Sequence, residues 1–508
     1  MVRVKPGKRM HRHRVAVVGA GWAGCAAAVE LTLQGHQVEL YESSRSLGGR
    51  ARGLRRRAAA QSAGTDTIDT IEASAEAGDH LASARSSTDD QWEERLDNGQ
   101  HILLGAYRET LRLMRTVGID IDKNLLRLPL QMRYPIATNG MDFLTTRLPA
   151  PLHLAVALLR ATGLTAADKM AVARFSSAAR WIDWRLNLDC SVAELLERFN
   201  QTDRVILLLW RPLCIAALNT PPERASAQVF LNVLRDSLGA RRAASDMLLP
   251  TVDLSALFPD QAARFIAGHS ATLRLATRVT ALRRAGDGWV LDTGAPMAAK
   301  GQTPPAFDRV ILATPVADTV RLLASAGHVA PGLHFDYEPI TTCYLQYAAD
   351  MRLAQPFNAL LDDPAIGHWG QFVFDRGQLD ESQAGLLAVV ISASGGAVAL
   401  AHAALCLAVA AQLAQVFDRP ALRQPLRTKV ISEKRATFSC TPGLLRPGPV
   451  TGLAGVLLAG DYVVNKYTAS DDVASDYPAT IESAVRSGVR AAACVDKLPD
   501  VQESESAT

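Results

Sequence analysis

The apolar run Val15-Ala-Val-Val18 flows directly into Gly19-Ala-Gly21-Trp-Ala-Gly24. The spacing of those three glycines constrains the chain more than any other feature. The first permits a tight turn, the second lets backbone approach a pyrophosphate, and the third allows a helix to pack closely on a strand. The following residues fit a helix to about Leu33, and Gln37–Tyr41 reads as a second strand ending in Glu42. Strand, glycine loop, helix and strand together predict a parallel βαβ unit, with phosphate at the helix N-terminus. Glu42 lies at the distance expected of a carboxylate that accepts hydrogen bonds from a ribose. The unit therefore predicts dinucleotide binding by an α/β fold.

A chain of 508 residues is too long for one such unit, and two or three domains are expected. The formal net charge of +3 gives no support to nucleic acid as a partner. Basic residues cluster at Arg3–Arg14 and Arg55–Arg57, which read as solvated tail and loop or as weak contacts with anionic lipid. The seven cysteines are dispersed with no C-x-x-C pair, as expected of reduced thiols in the cytoplasm. No metal is expected. The first apolar run is a short strand and not a signal peptide. The long uncharged stretch Ala384–Ala411 is broken by Ser392-Ala-Ser-Gly-Gly396, so a buried strand, Leu386–Ile391, and an Ala-rich core helix, Val398–Val416, are expected in place of a membrane span.

The pattern then changes several times along the chain. Residues 55–92 are rich in Ala, Ser, Thr, Asp and Glu and read as a flexible insertion. Helical periodicity dominates from Tyr107 to about Gln261, in Tyr107–Val117, Leu152–Arg160, Ala166–Asp183, Val192–Phe199 and Ala225–Leu238. Strand signals return at Ala271–Leu282, Gly288–Asp292 and Arg309–Ala313, with a hairpin turn at Gly286-Asp-Gly288. Further strands are expected at Ile340–Tyr347, Phe372–Phe374 and Val456–Gly460, and a last helix at Ala479–Val495. The nucleotide domain is thus discontinuous. Its pieces are expected at 14–105, 266–325 and 451–496, enclosing a helical and mixed-sheet second domain at 106–265 and 326–450.

Beyond Glu42, the glycine pair Gly48-Gly49 with Arg50 and Arg52 resembles the extended FAD fingerprint of the amine oxidase and phytoene desaturase superfamily. Three later segments are similar to the same pattern. Thr277–Leu282 matches a strand whose backbone clamps adenine, which points to Val279. Asp308–Pro315 matches a strand and turn that reclose the sheet, and Leu458-Ala-Gly460-Asp461 matches the motif whose acid holds the ribityl chain. Tyr477–Ala484 would then open a helix whose dipole faces the flavin. The resemblance implies FAD as cofactor, held by Gly19, Gly21, Gly24, Glu42, Gly48, Gly49, Arg50, Arg52, Val279, Gly460 and Asp461.

A narrower resemblance follows from Asp97-Asn-Gly-Gln-His101, Trp210–Asn219, Leu249–Pro259 and Tyr477–Glu482 with Arg486-Ser-Gly488. These look like the squalene-associated flavoenzymes, the hydroxysqualene dehydroxylases of bacterial squalene and hopanoid biosynthesis. The resemblance covers about residues 14–495, and departs at 55–92 and 462–476, which are longer than the family's connections. It implies reductive removal of a hydroxyl from hydroxysqualene. His101 is the first candidate for the proton donor, and a structural histidine bonded to backbone is the other reading. Asp97 and Tyr107 are weaker candidates. The apolar residues of Leu207–Leu218 and Phe230–Leu234 suit either a tunnel for a C30 isoprenoid or ordinary core. A long isoprenoid implies transient contact with the membrane surface by a cytoplasmic protein, peripheral on the inner membrane. Arg160, Lys169, Arg174 and Arg180 in 150–185 mark a possible docking face or a solvated helix. The residues name no electron donor. Two other readings stay open: oxidation of a long isoprenoid by a desaturase of the carotenoid or phytoene type, and a non-catalytic GDI-like prenyl-binding protein.

Overall fold

The structure, a computed structural model, describes residues 12–54, 92, 96–135, 138–294, 306–330, 333–464 and 477–498. The expected insertion at 55–92 therefore lies outside the described residues except for Trp92, as does most of 462–476 and of the Arg3–Arg14 cluster.

The βαβ unit forms as its sequence requires. Strands Arg14–Val18 and Gln37–Tyr41 pair in parallel around the helix Trp22–Leu33. The helix is buried on nearly every side, which its Ala-rich sequence permits. Three more parallel strands complete a five-stranded sheet in the order 456–458, 309–312, 14–18, 37–41, 272–274. Sheet and helix are thus assembled from chain pieces more than 400 residues apart. The last helix, Ile481–Cys494, lies so close to Trp22–Leu33 that a Cβ on Gly488 would stand 2.1 Å from the carbonyl oxygen of Ala23.

The second half is built on a five-stranded antiparallel sheet, in the order 357–359, 372–375, 386–392, 337–346, 427–438. One face is covered by the helix His402–Val416, which buries Leu405, Val409 and Leu413 against Cys343, Leu345 and Val389. The other face joins the large core shared with the helices of 152–237. The fold is therefore a discontinuous Rossmann-like domain joined to a mixed-sheet and helical one. Among the described residues, no helix is long and apolar enough to cross a membrane.

Two sequence expectations are corrected. The span Ala271–Leu282 is two separate strands, Thr272–Arg274 and Ala281–Ala285, divided by a turn at Leu275-Ala276 where Ala276 has φ +50°. The second strand pairs with Gly288–Asp292 as a hairpin and takes no part in the nucleotide sheet. The region after Tyr107 is also not helical alone: Leu125–Leu128 and Met247–Pro250 pair antiparallel, and Gln131–Arg133 pairs with Asp142–Leu144. These short apolar runs carry no period long enough to read, and tertiary pairing decides them.

Candidate active site

Two glycine loops form the floor of the site. Gly19 turns with φ +101°, and its N–H donates to the carbonyl of Tyr41 at 2.7 Å. A Cβ on Gly24 would lie 1.8 Å from the Gly19 carbonyl oxygen, so the helix meets the loop at backbone contact. Gly48 donates its N–H to the carbonyl of Ala20 at 2.9 Å, and a Cβ on Gly49 would come within 3.2 Å of the Gly21 Cα. Any side chain at Gly21 or Gly49 would fill the shallow cradle between the loops. Glu42 sits at its edge, accepting the Ala20 N–H at 2.8 Å and the Ser44 N–H at 2.9 Å. Its own backbone is gripped from both sides, by Arg274 O at 2.9 Å and by the Thr277 N–H at 2.8 Å.

Arg50 follows the second loop and reaches across the molecule. Its guanidinium donates to Asp461 Oδ1 at 2.6 Å and to the carbonyl of Ala436 at 2.8 Å. The Asp461 charge raises the Arg50 pKa further, against the opposing effect of burial. This contact brings the start of the chain to its far end and to the edge of the second sheet. Gly460, at φ +153°, donates its N–H to Ser487 Oγ at 2.7 Å, which ties the same turn to the last helix. Arg52 folds back on the loop, donating to the carbonyl of Gly49 at 3.0 Å.

The third wall is the segment 96–101. It runs antiparallel to 52–54, through Leu54 N–H to Leu96 O and Asn98 N–H to Arg52 O. Asp97 is buried, and its carboxylate accepts the Leu254 N–H at 2.9 Å. Tyr344 of the second sheet donates to the Asp97 carbonyl at 2.9 Å. That engagement makes Asp97 a brace. His101 stands at the end of this segment with Nδ1 2.9 Å from the carbonyl of Gly99. A carbonyl can only accept, so Nδ1 carries the hydrogen and Nε2 faces away from the bond. Burial holds the His101 pKa below the ordinary histidine value, partly offset by the Gly99 bond.

Among the described residues, two neighbouring polar atoms are buried without a hydrogen-bond partner, Gln100 Oε1 and Thr342 Oγ1. A Cβ on Gly99 would lie 3.9 Å from Thr342 Oγ1 and 3.7 Å from the His101 ring. Orphaned polar atoms beside a glycine cradle fit a polar group still to be received there. The donor set, with a carboxylate at each end and an arginine between, suits a flavin dinucleotide.

Several expected residues thus meet: Gly19, Gly21, Gly24, Glu42, Gly48, Gly49, Arg50 and Arg52 at one end, Gly460 and Asp461 at the other. Val279 lies in unpaired chain before the hairpin and not within a strand, its carbonyl 3.3 Å from Arg321 Nη2. Tyr107 stands at the N-cap position of the helix Arg108–Thr116, and burial pushes its hydroxyl well above the usual range. Sequence reading missed Thr342 and Tyr462. The phenol of Tyr462 meets Thr319 Oγ1 at 2.9 Å, and its ring closes over Gly460. Its position next to Gly460-Asp461 was the available signal; Thr342 carries none. A cavity of about 500 Å³ opens behind the second loop, between Leu47, Gly53, Arg45, Asp260 and Arg264. Neither His101 nor Asp461 lines it.

Comparison with known proteins bears on family and fold. Residues 58–496 match the family described as flavin containing amine oxidoreductase, and residues 17–71 match an NAD(P)-binding Rossmann-like domain. A hydroxysqualene dehydroxylase of Sinorhizobium fredii is 26% identical over 487 residues, covering 94% of this chain and 97% of that protein. A zeta-carotene desaturase of Zea mays is 31% identical over 158 residues, covering 31% of this chain and 21% of that protein. Among solved structures, cyclohexylamine oxidase from Brevibacterium oxydans IH-35A superposes with a TM-score of 0.60 at 16% identity, covering 96% of this chain and 99% of that one. The chain belongs to the flavin-containing amine oxidoreductase family, and is an FAD-dependent oxidoreductase.

Proposed function

We propose that this enzyme reductively removes the hydroxyl of hydroxysqualene, giving squalene and water, in bacterial squalene and hopanoid biosynthesis. The observation that carries this is the end-to-end similarity to a hydroxysqualene dehydroxylase, against a similarity to the desaturase confined to about a third of the chain. We assign 14–105, 266–325 and 451–496 to the cofactor half and 106–265 with 326–450 to the substrate half. FAD would be held by the two glycine loops at its phosphates, Glu42 at a ribose, Val279 at the adenine, Arg52 beside the second loop, and Arg50 with Gly460-Asp461 toward the ribityl chain. When bound and reduced, it supplies the hydride that this reaction requires.

The chain's own tasks are orientation, exclusion of water and one proton. His101 is assigned to the proton. Its Nδ1–H is committed to Gly99, so the transferable proton is carried on Nε2 of the imidazolium and passes to the leaving hydroxyl oxygen. Thr342 and Gln100 orient polar groups beside it. Buried Leu208, Trp210, Phe230 and Leu234 supply an apolar wall suited to a long isoprenoid. Such a substrate resides in a bilayer, and the enzyme meets that surface transiently, on the cytoplasmic side of the inner membrane.

The test is anaerobic incubation of the reduced holoprotein with hydroxysqualene, following flavin reoxidation and squalene together. Stoichiometric appearance of both is expected. Conversion of phytoene with no action on hydroxysqualene would instead make the protein a desaturase. A purified protein with no flavin absorbance would favour the prenyl-binding reading.

A further inference from the structure

The two helices Leu152–Arg160 and Ala166–Trp181 sit side by side at the surface of the second domain. Lys169 Nζ donates to the carbonyl of Leu159 at 2.8 Å, closing the end of the first helix onto the start of the second. Their inner faces are conventional: His153, Ala157, Ala171, Phe175 and Ala179 are buried. Their outer faces are not. Leu152 is 55% exposed, Leu159 72%, Met170 58% and Trp181 91%, and Leu148 just before them is 41% exposed. Met170, Arg174, Ser177 and Trp181 follow the i, i+4, i+7, i+11 spacing of one helical stripe. Isolated exposed apolar residues need no explanation, but a run of large ones on adjacent helices does.

The charges on this surface are predominantly positive, with Asp183 ion-paired to Arg185 at 4.0 Å. Arg147, Arg160, Arg174, Arg180 and Arg185 are exposed, and Asp183 is the exposed carboxylate between 144 and 188. Asp168 is buried, spent on the N-cap of its own helix and on Thr202. An outer face of leucine, methionine and a terminal tryptophan set among arginines matches an anionic interface with an apolar interior. A protein partner would also suit the apolar residues, but the charge distribution favours anionic headgroups.

We infer that this pair of helices is the face by which the enzyme lies on an anionic phospholipid bilayer, with Leu148, Leu152, Leu159, Met170 and Trp181 entering the interface and the arginines meeting phosphates. The inference deepens the proposed function, since a bilayer-resident substrate is what the docking would serve. It narrows the broader expectation for 150–185 in two respects: Lys169 Nζ already donates within the protein, and the exposed apolar residues supply the insertion.

Vesicle flotation of the holoprotein is the test, with phosphatidylcholine vesicles and with vesicles containing phosphatidylglycerol. Binding is expected to require phosphatidylglycerol and to weaken with salt. Each arginine removed should cost roughly fivefold in partition, from the ~1 kcal/mol attraction per basic residue near such a surface. Arg174→Glu with Arg180→Glu, and separately Leu159→Ser with Trp181→Ser, should both release the protein while its flavin absorbance is unchanged. Binding by both variants equal to wild type, or no binding by wild type, overturns the inference. So does a wild-type dimer in sedimentation that these substitutions dissociate, since a second copy would then cover the face. Activity separates this from the substrate assignment. With hydroxysqualene in detergent the variants should turn over as wild type, and with the substrate in vesicles they should slow in step with lost binding. Vesicle binding without any dehydroxylation would leave the docking face standing and remove the substrate.

Discussion

At the scale of single residues, the two inner glycines separate folding from cofactor binding. Gly24 touches the Gly19 carbonyl at backbone contact, whereas a Cβ on Gly21 meets nothing nearer than the Gly49 Cα at 3.9 Å. Gly24→Ala should therefore cost about 3 kcal/mol of stability, as overpacking does, and lower the thermal midpoint of the flavin-free protein. Gly21→Ala should leave that midpoint in place and lower the flavin content on purification. Equal midpoints for the two variants would refute the distinction. His101 gives a second residue-level expectation. Burial lowers its pKa, so the charged acid is present below that lowered value and disappears as pH rises through it. If the imidazolium donates the proton, kcat/KM for dehydroxylation should rise toward acid pH, with an inflection below the ordinary histidine value. His101→Gln should lose about 100-fold in rate together with that inflection. A full rate loss with an unchanged pH profile would leave His101 as a positioning group. The glycine loops were legible from sequence because they sit inside a spaced motif, and His101 was singled out in the same way, its role resting on the proposed function. Thr342 was not, because its role comes from the sheet register that carries it to Gly99.

At the scale of elements, one contact shows how the last helix organises the first domain. The Glu482 carboxylate accepts from the Glu109 N–H at 3.1 Å, the Thr110 N–H at 2.9 Å and the Thr110 hydroxyl at 2.7 Å, and Arg486 Nε lies 2.7 Å away. A carboxylate from one helix thus caps the N-terminus of another, Arg108–Thr116, whose own preceding residue Tyr107 offers no cap. Glu482→Ala should destabilise the protein by about 2 kcal/mol and leave the Arg486 charge without its carboxylate, beside Tyr477. Glu482→Gln should lose less, because the amide oxygen still accepts. Denaturant midpoints for the two variants check the order. The helix itself was foreseen at Ala479–Val495, since it carries its own amphipathic period. Its capping role was invisible, because the partner amides lie more than 370 residues away. The same logic explains the strand Arg427–Phe438, which alternates poorly and is made by pairing with Tyr337–Gln346.

At the scale of the molecule, the proposed cofactor site closes a loop of the whole chain. Arg50 and Asp461 meet at 2.6 Å across 411 positions, and Gly460 is anchored through Ser487 to the helix packed on Trp22–Leu33. The Rossmann unit was legible because its glycines, strands and helix are contiguous; of the second sheet, the apolar strands Tyr337–Gln346, Phe372–Asp375 and Leu386–Ser392 were legible, whereas Phe357–Ala359 and Arg427–Phe438 are set by long-range pairing. A ligand that binds only when all these pieces are assembled must stabilise the assembly itself. FAD at 100 times its Kd should contribute about 2.7 kcal/mol. For 508 residues that is a rise of about 2–3 °C in the thermal midpoint, growing with the logarithm of FAD concentration. Two variants distinguish binding from scaffold. Asp461→Asn should abolish most of the FAD-dependent rise, because it removes the charge that faces Arg50 and, as proposed, would hold the ribityl chain. Gly488→Ala forces a Cβ toward the Ala23 carbonyl and should lower the midpoint while the FAD-dependent rise survives in the fraction that folds. Thermal scans of the flavin-free protein against added FAD decide between these outcomes. If Asp461→Asn shows the full wild-type rise, the far end of the chain does not hold the cofactor, and the site closes on the N-terminal loops alone.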